Sequence, residues 1–282
     1  MNSRTVTTAS RTAVGVAALR AAHQLFDAAP KILDDPVAAR LLDADILERL
    51  CDAQAMSRHA TARSLQAHVV MRSRFAEDCL AESVTHGVRQ YVILGAGLDT
   101  FAWRQPAWAA GLRIFEVDQP ASQQDKQQRL TRAGLAAPAN FTFVPVDFET
   151  ESLDARLREA GVDGHQPTFF SWLGVTPYLN ETAIDDVLRV IARGPAGTGV
   201  VLTFAPADES GRGPSIVEQM AAAVGEHFLS HFTSAQLGRK LRDHGFTDIF
   251  FLTPAVAAAR YFAGRTDGLL PPRRTSIVHA RV

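Results

Sequence analysis

The run Tyr91-Val-Ile-Leu-Gly-Ala-Gly-Leu-Asp-Thr100 carries the strongest chemical signal in the chain, an apolar strand that leads straight into a Gly-x-Gly turn. In a doubly wound α/β sheet such a turn offers its backbone to a nucleotide-like ligand. Gly95 and Gly97 lack a Cβ, which permits the tight turn and close approach that larger side chains block; Ala96 stands between them. The positions that follow leave the dinucleotide pattern. A Gly-x-Gly-x-x-Gly loop would place glycine where Thr100 stands, and Asp99 adds a negative charge to a loop that would have to cradle a pyrophosphate. At about 4 Å and an effective dielectric of about 20, like charges repel by roughly 4 kcal/mol. A cationic ligand suits this loop better.

Two further strand ends supply acids. Arg113-Ile-Phe-Glu-Val-Asp118 ends 21 positions beyond Gly97 in a carboxylate that can hold both hydroxyls of a ribose, a spacing that fits a nicotinamide dinucleotide equally well. Phe141-Thr-Phe-Val-Pro-Val-Asp147-Phe148 ends in an acid followed by an aromatic ring, suited to accept from an adenine amino group and to pack on the base. S-adenosylmethionine, with two positive groups, an adenosine and no phosphate, matches the three strand ends together.

These residues need a parallel sheet to bring them to one edge. Strand-like runs at 91–94, 113–117, 141–146, 168–172 and 199–204 alternate with helical segments in the βαβ rhythm of such a sheet, which places the ligand crevice at the strands' C-terminal ends. Residues 1–85 read as an added helical cap. Within it Asp35-Pro36 opens a run with Val37, Leu41, Leu42, Ile46 and Leu50 at roughly helical spacing. The remaining 86–282 form the ligand-binding domain, interrupted at about 206–232 by a lid that starts in Pro-Ala-Asp-Glu-Ser-Gly-Arg-Gly-Pro214. Thr233 caps a helix that stops at Gly245; Phe246 to Thr253 resumes a strand, and Ser276 to Val282 pairs beside it.

Leu94-Gly-Ala-Gly-Leu-Asp-Thr100 with Trp103-Arg104 behind it, then Phe115-Glu-Val-Asp-Gln-Pro120 and Val146-Asp147, resembles the leucine carboxyl methyltransferase family, which also holds bacterial S-adenosylmethionine-dependent O-methyltransferases. The resemblance runs roughly from His23 to the end. It implies a class I methyltransferase fold: a Rossmann-like mixed sheet of seven strands with helices on both faces, an N-terminal helical cap and a helical lid insertion. Carried over by position, it gives Gly95, with Ala96 and Gly97, the methionyl part of the cofactor, Asp118 the ribose, and Asp147 with Phe148 the adenine. Val70-Met-Arg72-Ser-Arg74-Phe resembles the family's upstream segment, whose arginine holds the cofactor carboxylate; Arg72 is the better match and Arg74 the fallback. A guanidinium offers that carboxylate a planar pair of donors. The chain departs from the family at Leu173, where a Glu-Gly pair commonly precedes Tyr-Leu; Tyr178-Leu179 is kept. A small-molecule methyl acceptor is therefore expected, on a carboxylate or hydroxyl oxygen, with Trp172 and Tyr178 as candidate lining residues and core packing as their alternative role. No residue is nominated as a catalytic base.

Composition bounds these readings. The 282 residues are 46% hydrophobic and 21% charged, enough for a full core, and 29 basic residues nearly cancel 30 acidic ones, which leaves no electrostatic footprint for nucleic acid. Only Lys31, Lys126 and Lys240 are lysines. Cys51 and Cys79 alone make no metal cluster, and a reduced cytoplasmic setting is the expectation. The uncharged stretch from Gln166 to Asn180 holds Pro167, Gly174 and Pro177, which excludes a membrane span. His227 and His231 could face one metal, but the order is not His-Glu-x-x-His and no third ligand is evident, so no metal is expected. Two alternatives stand beside the methyltransferase: a nicotinamide-dependent oxidoreductase, against which Asp99 and Thr100 speak, and a non-catalytic relative that binds the cofactor. Oligomeric state is not legible.

Overall fold

The computed structural model describes residues 11–52, 60–148, 150–207 and 216–282. Seven strands make one sheet: β1 (Gln90–Leu94), β2 (Arg113–Asp118), β3 (Phe141–Pro145), β4 (Thr168–Trp172), β5 (Gly199–Thr203), β6 (Asp248–Phe251) and β7 (Ile277–Arg281). Their order is β3-β2-β1-β4-β5-β7-β6; the first five run parallel, and β7 lies antiparallel between β5 and β6. The order reverses direction between β1 and β4, the switch point at which open α/β sheets bind ligands. Register sets the depth of that crevice: Leu94 pairs with Val117, Asp118 with Pro145, and Ile93 with Ser171, so the strands stop along a common edge.

Strands β1, β4 and β5 were legible because they are buried on both faces, and such strands read as continuous apolar runs. Side chains alternate across the sheet. Tyr91, Ile93, Ile114, Phe169 and Val201 face α3 (Ala60–Thr85), which packs Ala67, Val70, Met71, Phe75 and Leu80 against them. Val92, Leu94, Phe115, Val117, Phe170 and Trp172 face α5 (Leu153–Glu159), α6 (Glu181–Ala192) and α8 (Ser234–Asp243), which contribute Leu153, Leu157, Ile184, Leu188, Leu237 and Leu241. Thus α3, read from the sequence as part of a cap, is a layer of the sandwich. A third cluster joins α1 (Arg11–Phe26) to the turn at Ala38–Leu41 and to α4 (Pro120–Arg132), through Ala17, Ala21, Val37, Leu41, Leu98 and Leu130.

The helical run expected from Asp35 is broken. The Asp35 carboxylate accepts from Ala38 N–H at 3.0 Å and starts a single 3-10 turn, Ala38–Leu41; Leu42 then turns extended at ψ 148° before α2 (Ala44–Asp52) begins. The periodicity belongs to two short helices that share one apolar side, not to one. The segment from Thr233 folds as read: its hydroxyl accepts from Gln236 N–H at 3.1 Å, the Gln236 side chain accepts from Thr233 N–H at 2.8 Å, and Gly245 leaves the helix at φ +99°. Among the described residues no helix is long and apolar enough to cross a membrane.

Candidate active site

The glycine turn folds back on β2. Both Gly95 and Ala96 donate to the Val117 carbonyl, at 2.8 and 3.1 Å, which holds the loop over the strand ends. Gly95 has φ +64°, and a Cβ there would stand 2.2 Å from Val175 Cγ2; Gly97 has φ +50°, with Ala13 of α1 3.0 Å from its Cβ position. Both positions disfavour a side chain by their left-handed backbone, and at Gly95 the space is closed as well. Asp118 ties the loop to β2: its two oxygens accept from Gly97 N–H at 2.5 Å and Gln119 N–H at 2.7 Å. A carboxylate has about four lone-pair sites, so Asp118 keeps capacity for a ribose. Burial pushes its pKa up, and the two amides with Lys126 oppose that. Asp147 and Phe148 follow β3 directly and are partly accessible, the Phe148 ring resting on the apolar core. Gly95, Ala96, Gly97, Asp118, Asp147 and Phe148 thus share one edge.

Arg72 reaches the same edge from α3. Its guanidinium lies 2.9 Å from where a Cβ on Gly174 would stand, immediately beyond β4, and Gly174 has φ +78°. The Arg72 Nε is buried without a hydrogen-bond partner. Burial first, and then the charge of Arg20, push its pKa down to about 10, while Tyr178 opposes the shift. Arg74 turns away: it pairs with Asp78 at 2.7 Å in a separate polar cleft of about 370 Å³, where Asp78 also binds Arg260 and Tyr261. Trp172 does not line a cleft; its ring is fully buried in the core beneath the sheet. The alternation of β4 sends Trp172 to the side of α6, and its position at the strand end hid that direction. Leu173 packs its side chain onto the α3-side core. Tyr178 sits on the turn after β4, edge-on to Phe228 at 5.2 Å.

Beneath the loop lies a buried charged network absent from the sequence reading. Arg104 grips Glu77 through both terminal nitrogens and lies 3.5 Å from Asp35, and Arg20 of α1 stands 3.5 Å from Asp35 and 3.9 Å from Asp99. Arg20 also donates to the Leu98 carbonyl. Asp99 spends one oxygen on Phe101 N–H at 2.8 Å, which starts the next turn. A second buried pair, Glu116 and Lys126 at 2.5 Å, lies two residues before Asp118 on β2; the ammonium stacks 5.0 Å over the Trp103 ring. Pairings across such sequence separations leave no local periodicity to find them by.

Two segments approach from above. The first turn of α1 meets the insertion where Thr12 donates to the Glu226 carboxylate at 2.5 Å. The insertion is closed at its base by the Pro206–Phe232 bridge and pinned to the turn after β4 by Leu229 N–H on the Pro177 carbonyl at 2.6 Å. It contains α7 (Ile216–Ala223); residues 208–215 of the expected lid lie outside the described residues. His231 pairs with Glu218 at 3.2 Å, and no group of three potential metal ligands occurs among the described residues.

An open sheet of this order with a glycine turn, two strand-end acids and an unpartnered arginine is the arrangement of a Rossmann-like class I methyltransferase. Two solved structures share the fold over nearly the whole length: a Streptomyces avermitilis protein (TM-score 0.58, 16% identity, 97% of each chain) and one from Thermobifida fusca assigned as a methyltransferase (TM-score 0.58, 16% identity, 98% and 96%). Residues 13–192 match the leucine carboxyl methyltransferase family model, and the chain belongs to that family. A Bacillus subtilis protein assigned to the S-adenosyl-L-methionine-dependent methyltransferases, YktD, is 36% identical over 215 residues, 73% of this chain and 69% of its own. A Mycobacteroides abscessus relative of the same assignment is 36% identical over 177 residues, 62% of this chain and 56% of its own. The chain is accordingly an S-adenosylmethionine-dependent methyltransferase. The nicotinamide alternative falls with that membership.

Proposed function

We propose that the enzyme methylates an oxygen, carboxylate or hydroxyl, of a small-molecule acceptor. The observation that carries the cofactor geometry is Arg72: a deep guanidinium with an orphan Nε, beside Gly174 just beyond β4, near a turn that has no room for a side chain at Gly95. A buried donor without a partner is costly, and an anionic ligand group satisfies it. In this reading Arg72 takes the cofactor carboxylate, the Gly95-Ala96-Gly97 backbone the methionyl chain, Asp118 the ribose hydroxyls, and Asp147 with Phe148 the adenine. Trp172 is given no ligand contact, and Tyr178 stands at the acceptor side with Phe228.

Bound S-adenosylmethionine supplies an electrophilic methyl group; the protein's part is to align the acceptor oxygen with it. Such alignment is worth about 7 to 11 kcal/mol. A carboxylate of pKa about 4 is already ionised at neutral pH and needs no base, whereas a phenol near 10 profits from one. Small acceptors are favoured by the crossing of α1 and the insertion over the crevice at Thr12 and Glu226. Oxygen is favoured by the chemistry in the family's name.

Calorimetric titration with S-adenosylmethionine, S-adenosylhomocysteine and NAD tests the assignment. Micromolar binding of the first two and none of NAD is expected. Asp118→Asn, which keeps one acceptor oxygen, should weaken S-adenosylhomocysteine about tenfold, and Asp118→Ala more, since it also frees the Gly97 amide. Unchanged affinity in Asp118→Ala would remove the ribose assignment.

A further inference from the structure

We infer that His68 shares with Arg72 the task of holding the carboxylate of the cofactor's methionine part. The inference rests on the Arg72 assignment and adds a second, uncharged donor to it. His68 precedes Arg72 by four residues on α3, so the two side chains lie on one helix face with Cβ atoms about 5–6 Å apart. The chain drops from α3 through a short turn into β1, so the helix runs antiparallel to that strand and its N-terminal half stands at the crevice end of the sheet. In an α-helix the Cα–Cβ bonds tilt toward the N-terminus, which directs both side chains to that end.

The surroundings of His68 mark it as facing a ligand. Among the described residues no hydrogen bond reaches the imidazole, although most buried polar side chains have a partner. The residue is partly accessible, unlike Ala67, Val69 and Val70 beside it on the helix, which are buried. Burial, with the Arg72 charge added, pushes its pKa down to about 3, so at neutral pH it is an uncharged ring with one N–H to donate. A protonated imidazole would set a second positive charge beside a guanidinium already disfavoured by burial and by Arg20. A neutral donor avoids that cost and still contacts an anion. The carboxylate seated on Arg72 has lone pairs to spare, because a bidentate guanidinium uses one on each oxygen. The three methionyl-side groups then divide the work. Arg72 gives charge and orientation, the glycine turn gives close approach, and His68 gives a directional bond from one helical turn before Arg72.

The test compares S-adenosylhomocysteine with 5′-methylthioadenosine, which keeps the adenosine and thioether and lacks the amino-acid end. Both are titrated into the wild-type chain and into Arg72→Ala, His68→Ala and His68→Gln, each checked for folding by circular dichroism and thermal unfolding. Arg72→Ala is expected to weaken S-adenosylhomocysteine about 100-fold and methylthioadenosine less than about twofold. His68→Ala is expected to weaken S-adenosylhomocysteine about tenfold, again with methylthioadenosine nearly unchanged, and His68→Gln, which retains an N–H donor, should recover to within about threefold of wild type. A His68→Ala protein that binds S-adenosylhomocysteine as wild type does, or that loses both nucleosides equally, would overturn the inference while leaving Arg72 in place. If wild type bound neither nucleoside, the cofactor reading itself would fall and take the inference with it.

Discussion

Replacing Gly95 by alanine isolates the geometry on which the cofactor loop depends. Gly95 has φ +64°, and its missing Cβ would stand 2.2 Å from Val175 Cγ2. The left-handed backbone costs a residue with a Cβ about 1 to 2 kcal/mol. Forcing a methyl group into contact costs typically about 1 to 3 kcal/mol more, because Val175 and the turn after β4 must move. Together Gly95→Ala should lose about 2 to 5 kcal/mol, which in a chain of this length lowers the unfolding midpoint by roughly 3 to 8 °C. The two parts separate in a double-mutant cycle. Val175→Ala removes the facing methyl groups, so Gly95→Ala in that background should regain about 1 to 3 kcal/mol, the steric share, and keep the conformational one. Urea unfolding of the four proteins reads the stability, and titration with S-adenosylhomocysteine reads the loop, whose affinity should drop at least about tenfold in Gly95→Ala. A Gly95→Ala protein within about 0.5 kcal/mol of wild type, or a cycle with no coupling to Val175, would refute the close packing of the turn against the segment after β4.

Other consequences are independent of the loop. Burial pushes the His279 pKa down to about 4, with the Arg281 charge adding to the effect. The unfolded chain then binds the proton first, so this contribution is full above pH about 6.5 and is lost as pH falls toward 4, about 3 kcal/mol in all; urea unfolding from pH 4.5 to 8 should show a slope shallower by up to one proton in His279→Leu. The Glu116 carboxyl behaves oppositely: burial raises it to about 7 in spite of Lys126, so its contribution is most favourable below pH about 4.5 and declines as pH rises through 7. Lys126→Met should cost about 3 to 5 kcal/mol at pH 8, less at pH 5 where Glu116 takes a proton, and Glu116→Gln in the same chain should restore much of it. Thr233→Ala breaks the capping box of α8 and should cost about 1 kcal/mol in thermal unfolding with no change in S-adenosylhomocysteine affinity.

What the sequence disclosed follows from how local each cause is. The parallel strands announced themselves because residues 90–94, 168–172 and 199–203 are buried throughout and leave no polar alternation to confuse the pattern. The positions of the glycine turn and the two acids were legible because each lies where a strand stops, a position that apolar runs define well. The role of α3 was not legible, since its apolar face could have met a neighbouring helix as easily as the sheet, and nothing local in Ala67, Val70 or Phe75 chooses. Of the two roles open to Trp172, pocket lining and core packing, the structure shows the core, and the sequence did not choose between them for a related reason. Strand period fixes that it faces opposite to Ser171, but which face is open at the crevice depends on what covers each side. His68 carried no signal at all, because its chemistry consists in having no partner.

The charged network beneath the loop gives a physical reason for a cationic cofactor that the sequence argument reached by a different route. Asp99 was read as a charge aimed at the ligand, yet one of its oxygens is used by Phe101 N–H and the other lies 3.9 Å from Arg20. Its repulsion toward an anion is thus partly offset, and the single residue decides less than its position suggested. The network as a whole still leans negative: among the described residues Asp35, Glu77 and Asp99 pair with Arg20 and Arg104, and Asp118 lies beyond them. Its arginines are engaged there and at Leu98 O and Thr100 Oγ1, so they have little left to give a phosphate. Arg72 is the exception, a positive group next to a negative neighbourhood. A ligand that is cationic at one point and anionic at another, as an amino acid bearing a sulfonium is, matches this pairing of opposite fields within one crevice, whereas a dinucleotide matches only Arg72. Arg20 also makes α1 part of that match. Replacing it would release Leu98 and unbalance three carboxyl groups together, so Arg20→Leu should disturb cofactor binding from outside the cofactor's reach.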